Sequence, residues 1–175
     1  TPPDGFLACN TANLPDVTIG PDSATQADDN FNTVLYTGDN STDLAVTGVG
    51  FQPDWLWFKA RNLASNHRLF DTSRGMSSGN QELGTNNTNA EGASTSAGIN
   101  PTADGFTFDV SVGGTNEPNF TSNYVTWCWK ANGGTTTTND ASSTGVGTID
   151  SVFQANTTSG FSIVTYTGTG SAGTV

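Results

Sequence analysis

Asp54-Trp55-Leu56-Trp57-Phe58-Lys59-Ala60-Arg61 is a nearly continuous apolar run that follows Gly50 and Pro53. An apolar run of this length between turn residues suits a strand covered on both faces. A second run, Tyr124-Val125-Thr126-Trp127-Cys128-Trp129-Lys130-Ala131, repeats the Trp-x-Trp spacing. Side chains along a strand alternate between faces, so Trp127 and Trp129 share one face and Cys128 takes the other. The chain has four Trp. At ~150–250 Å² each they exceed the ~300–600 Å² apolar patch a typical monomer exposes. Most of Trp55, Trp57, Trp127 and Trp129 are therefore expected in the core. Trp55, beside Asp54 at the strand start, is the one best placed to be partly exposed.

Outward from these runs the pattern stays β. Strands are expected at 31–36, 43–49, 66–70 and 106–112, where Phe106, Phe108 and Val110 fall on one face. Shorter ones are expected near Glu82-Leu83 and over 149–154. Gly, Asn and Asp turns separate them, and no helical period is present. The fold class expected is all-β: an antiparallel β-sandwich, jelly-roll or concanavalin-like. Residues 76–104 carry few large apolar side chains and read as a long surface excursion.

Phe31-Asn32-Thr33-Val34-Leu35-Tyr36-Thr37-Gly38-Asp39-Asn40-Ser41 resembles Phe161-Ser162-Ile163-Val164-Thr165-Tyr166-Thr167-Gly168-Thr169-Gly170-Ser171, with Phe, Val, Tyr, Thr, Gly and Ser in one register. This reads as an internal repeat. The organisation expected is an end of a preceding unit plus linker at 1–28 and a β-sandwich domain at 29–132. A linker with the strand leading onward follows at 133–158, then the truncated start of a further β unit at 159–175. Both ends are expected to be cuts inside a longer protein, since Thr1 follows no initiator Met or signal pattern.

Composition removes whole classes of function. Five basic against 16 acidic side chains give a net charge of −11, so the basic footprint of a nucleic-acid binder is missing. No run approaches the ~20 apolar residues of a membrane helix. Cys9 and Cys128 read as two buried apolar side chains rather than a disulfide framework.

The catalytic inventory is short. His67 is the one histidine, and no Gly-x-Ser-x-Gly, His-Glu-x-x-His or phosphate loop occurs. Glu82, Glu91, Glu117, Asp71, Asp104 and Asp109 are not placed as facing pairs, as a glycosidase requires. No enzyme, cofactor or metal is expected. Calcium is the one inorganic ligand that the oxygen-rich turns at 28–30 and 37–43 would suit, although most such segments are Asx-turns. Lys59, Arg61, Arg68 and Arg74 cluster in sequence and Lys130 ends the other Trp-rich strand. Pairing with Asp54, Asp71 and their neighbours is the expected use, an anion patch the alternative. Trp55, His67 and Arg68 are the candidate ligand-binding residues. Sequons stand at Asn40, Asn86, Asn119 and Asn156.

Four blocks in order carry a resemblance: Gly50 through Arg61 as above, Leu69-Phe70-Asp71-Thr72-Ser73-Arg74-Gly75, Asp104-Gly105-Phe106-Thr107, and Tyr124 through Ala131. Together they are similar to a domain of unknown function in marine bacteriophage tail-fibre or virion-appendage proteins. That domain is found beside SPRY or concanavalin-like, lectin-like units. The resemblance implies a non-enzymatic structural module, at the virion surface or extracellular. Its partners would be other copies of itself or other virion proteins, and host-surface glycan is a further expected partner. The alternative is a secreted bacterial carbohydrate-binding or adhesin module. No nucleic-acid or membrane partner is expected.

Overall fold

Alternation of apolar and covering residues builds a two-layer antiparallel sandwich with a small third sheet docked at one end. The computed structural model describes residues 27–76, 81–93, 98–108 and 118–175. After a 3-10 turn at Ala27–Asp29 the strands are β1 (Phe31–Thr37), β2 (Ala45–Thr47), β3 (Trp55–Ala60), β4 (Arg68–Asp71), β5 (Gln81–Gly84) and β6 (Gly92–Ala93). They continue with β7 (Ile99–Thr102), β8 (Gly105–Phe108), β9 (Asn123–Trp129) and β10 (Thr137–Asn139). The one-turn helix α1 (Ala141–Thr144), β11 (Ser151–Asn156) and β12 (Phe161–Tyr166) complete the described elements.

The large sheet runs β1-β9-β3-β4-β5-β6, and β2-β8-β7 forms the opposing layer. All paired strands are antiparallel. The two Trp-rich runs are neighbours: β9 lies between β1 and β3, with Leu56 opposite Cys128, Trp55 opposite Trp129 and Trp57 opposite Trp127. Residues directly opposite share a face. The inner face therefore carries Val34, Leu56, Phe58, Phe70 and Cys128. These pack on Val46, Ile99, Phe106 and Phe108 of the small layer, with Val49, Phe51 and Met76 closing the edges. Phe58 sits at the centre, its ring 5.5 Å from that of Phe106 and 5.9 Å from that of Phe70.

The small layer reaches this position through one tight corner. The Asp104 carboxylate accepts hydrogen bonds from the backbone N–H of Gly48 (3.1 Å) and Gly50 (2.7 Å), which turns Val49 and Phe51 inward. Gly105 follows with φ +147°, and a Cβ there would lie 2.0 Å from the Val46 carbonyl oxygen. No other residue allows β8 to pair with β2 this closely.

Several elements lie where sequence reading expected none. Besides the short strand expected near Glu82-Leu83, which is β5, the 76–104 excursion contains β6 and β7, and Met76 is buried. β7 carries Pro101 and is an edge strand, which is where the sheet tolerates a missing N–H. The stretch read as a linker holds β10 and α1 ahead of the expected strand, β11. Thr-rich sequence gave no apolar alternation there, because the strands lie at the periphery with little to bury. Val110 and Cys9 fall outside the described residues.

The third sheet, β10-β11-β12, joins the sandwich through buried polar groups. Asp54 is fully buried, and its carboxylate accepts from Ala131 N (2.7 Å), Gly133 N (2.9 Å) and Thr72 Oγ1 (2.9 Å). Gln154 of β11 is also buried. Its amide donates to Thr72 Oγ1 and Ser73 Oγ, both at 2.7 Å, and its oxygen accepts from Asn132 N and Gly134 N. Asn156 adds a bond to Asn30 at 2.6 Å.

Candidate functional site

The large sheet has a second, outer face, and all four tryptophans stand on it. This overturns the expectation that most of them are core. The burial arithmetic failed because it counted each indole as either buried or free. In the structure Trp55, Trp57, Trp127 and Trp129 are each only partly exposed, and their rings pack on one another. Trp55 packs edge-on to Trp129 at 4.4 Å, and Trp57 lies 5.1 Å from Trp127 at a 45° tilt. Mutual packing lets four indoles share a surface that they could not occupy singly.

Register arranges this face in rows across the strands. The first row runs Phe31, Trp129, Trp55, Asp71. The second runs Thr33, Trp127, Trp57, Leu69, Leu83. Leu35, Val125 and Lys59 begin a third. The first row is capped. Phe161 of β12 stacks on Trp129 at 6.0 Å and meets Trp55 edge-on at 6.3 Å, while Phe31 packs on Trp129 at 4.6 Å. Phe31 and Phe161 are the matching positions of the sequence repeat, and both meet the same indole.

The second row has no such cap among the described residues. Trp57 donates its indole N–H to Thr85 Oγ1 at 3.1 Å, and the His67 ring lies 5.8 Å from it. Trp127 makes no hydrogen bond through its indole N–H among the described residues. Lys59 turns its ammonium onto the carbonyls of Ser65 (3.0 Å) and Leu63 (3.3 Å). Burial and the Lys59 charge push the His67 pKa down from 6.5, and Nδ1 is buried with no partner among the described residues. The imidazole is neutral at neutral pH.

Of the three residues singled out from sequence, Trp55 and His67 lie on this face, Trp55 under Phe161 and His67 beside the open row. Arg68 does not join them. It sits opposite Phe58 on the core side of the sheet and is ion-paired with Glu82. Sequence reasoning missed Trp57 and Trp127 as site residues, although the Trp-x-Trp spacing already placed each pair on one face.

The remaining polar groups are engaged structurally. Arg74 pairs with Asp71 at 2.6 Å and with Glu91 at 2.8 Å. Asp39 accepts from Ser41 N in an Asx-turn, so the 37–43 loop follows its ordinary turn chemistry. Among the described residues no group of three or more His, Cys, Asp or Glu side chains gathers to hold a metal. Burial pushes the Cys128 thiol up to about 12, which makes it an inert core side chain. Asn119 is fully buried and donates to Ser41 O at 2.7 Å, so its sequon is closed to modification in the fold.

No curated protein and no solved structure matches the chain. Residues 26–175 match the family described as domain of unknown function DUF7483. That span takes in every described strand, both layers of the sandwich and the docked third sheet, and the chain belongs to the DUF7483 family.

Proposed function

We propose that this chain is a non-enzymatic structural module of a bacteriophage virion protein: a tail fibre, an appendage or a capsid decoration. The observation that carries the reading is the polar joint around Asp54 and Gln154. Buried hydrogen bonds there lock the sandwich to a further sheet whose last strand repeats the first strand's sequence. A module designed for series assembly needs its outgoing end fixed to its own core, and fully satisfied buried polar networks fix geometry well. The acidic, weakly charged surface suits display outside a particle, against other copies of itself or other virion proteins. Catalysis is not called for: Asp71, Glu82 and Glu91 are each tied to an arginine, and His67 faces no carboxylate within ion-pairing distance among the described residues.

Peptide mass spectrometry on purified particles tests this reading. Peptides of this chain should be recovered at a stoichiometry fixed relative to the major capsid protein. Their confinement to the lysate, absent from particles, would overturn it. The alternative, a secreted bacterial carbohydrate-binding or adhesin module, draws its support from the outer aromatic face and predicts the chain in culture supernatant of uninfected cells.

A further inference from the structure

The open row of the outer face has an unusual mixture of properties. Trp57 and Trp127 offer two tilted, partly exposed indole faces 5.1 Å apart. Around them lie an indole N–H with no partner among the described residues, the Thr33 and Thr85 hydroxyls, the His67 ring and the Lys59 ammonium. An occupant must therefore bring a flat apolar face and hydrogen-bonding groups at its edge.

Size narrows the choice. Each indole spans ~150–250 Å² in full. Two that are only partly exposed leave a few hundred Å² at most. A stable protein interface needs about 800 Å² per partner. The rest of the aromatic surface is not free to enlarge the patch, since Phe161 and Phe31 occupy Trp129 and Trp55. A protein partner would also bury polar edge groups that need replacement acceptors. One or two sugar rings fit the area, stack their C–H faces on indole and supply hydroxyls around the rim.

Charge narrows it further. The chain carries a net charge of −11. The cation nearest the row, Lys59, is already satisfied by two backbone carbonyls, and His67 is neutral. Among the described residues Lys59 is the one charge an anionic ligand would meet there, and the field of a chain with net charge −11 opposes its approach.

We propose that the Trp57–Trp127 row is a binding site for a neutral hexopyranose, presented as the terminal or internal ring of a glycan. It goes beyond the architectural reading and does not depend on it. Trp57 and Trp127 form the stacking platform, and Thr33, Thr85 and His67 form the polar rim. Trp55 and Trp129 hold the capping strand β12 in place.

The test uses the full chain and two-dimensional amide and indole spectra. Methyl β-glucopyranoside, methyl β-galactopyranoside, methyl α-mannopyranoside and their neutral disaccharides are titrated to tens of millimolar, with galacturonic acid as the acidic control. At least one neutral sugar should shift the indole N–H signals of Trp57 and Trp127 saturably while leaving that of Trp129 in place. Trp127→Ala should weaken that binding about tenfold or more. Thr33→Val, an exposed change that leaves the indoles intact, should weaken it less and guards against a misfolded Trp127 variant. No saturable shift with any neutral sugar overturns the site. So does a preference for galacturonic acid. So do shifts that depend on protein concentration alone, because a second copy of the chain would then be the occupant. The particle-peptide measurement stands apart from these results, so a negative titration removes the sugar site and leaves the virion reading untouched.

Discussion

The inner and outer faces of the large sheet use the same strands and opposite chemistry. In β3 the inner residues Leu56 and Phe58 are 0% and 1% exposed, while Trp55 and Trp57, which alternate with them on the outer face, are partly exposed. In β9 Cys128 is fully buried between Trp127 and Trp129. On β1, inner Val34 is 9% exposed and outer Leu35 is 61% exposed. A core face takes side chains that fill volume without polar atoms. The outer face takes the bulkier indoles, which shelter one another and keep a polar edge toward water. An apolar run with alternating Trp thus meant a strand with two unlike faces, one for stability and one for contact.

The sharpest way to break that contrast is at its centre. Phe58→Ala removes a ring packed against Phe70, Phe106 and Phe108, and should cost about 3–5 kcal/mol in denaturant unfolding. A cost near 1 kcal/mol would mean that the two layers are not tightly packed there. Asp54→Ala comes next. It strips the acceptor from two backbone N–H groups and the Thr72 hydroxyl, and should cost roughly 2–3 kcal/mol. Small-angle scattering should also show a looser third sheet in this variant. If the sheet stays fixed, the joint rests on Phe161 rather than on the polar network.

The outer face should respond less in stability. Trp127→Ala removes a partly exposed indole, with an expected cost of about 1–2 kcal/mol, roughly half that of a core aromatic. Denaturant unfolding read beside Phe58→Ala measures the contrast directly. An equal loss would show that the outer face is covered core, and would remove the room that a ligand needs.

The fold class was legible because alternation is a local property. Strands β1 and β8 carry it in their own residues, β3 and β9 showed as apolar runs between turns, and the Trp-x-Trp spacing put Cys128 on the opposite face from its neighbours. What was not legible depends on distant partners. Ile99–Thr102 forms a strand because Phe106 and Phe108 offer a ladder to pair with, despite Pro101. Thr137–Asn139 is a strand because Val152 and its neighbours lie opposite. The exposure of the tryptophans was also hidden, since a sequence shows how much apolar area exists but not how it overlaps. Arg68 was misplaced for the same reason: its parity on β4 points it to the core side, where Glu82 of β5 meets it.

The smallest expected effect concerns the corner that brings the two layers together. Asp104 is exposed, yet the Gly50 and Gly48 N–H groups hold its carboxyl below the ordinary 3.8. A carboxylate with a lowered pKa in the fold stabilises it fully above the ordinary value, and that contribution is lost as pH falls through the folded value. Asp104→Ala should therefore lower Tm slightly at and above about pH 5. The gap to the parent chain should close as pH drops below 3.8, because the parent loses the same bonds by protonation. Asp54→Ala, by contrast, deletes a fully buried acceptor and should lower Tm far more at neutral pH. The absence of any gap for Asp104→Ala at neutral pH would show that this carboxylate is irrelevant. The corner would then be held by the backbone pairing of Val49 with the Asp104 carbonyl, and Gly105 would be the residue that closes the inner face.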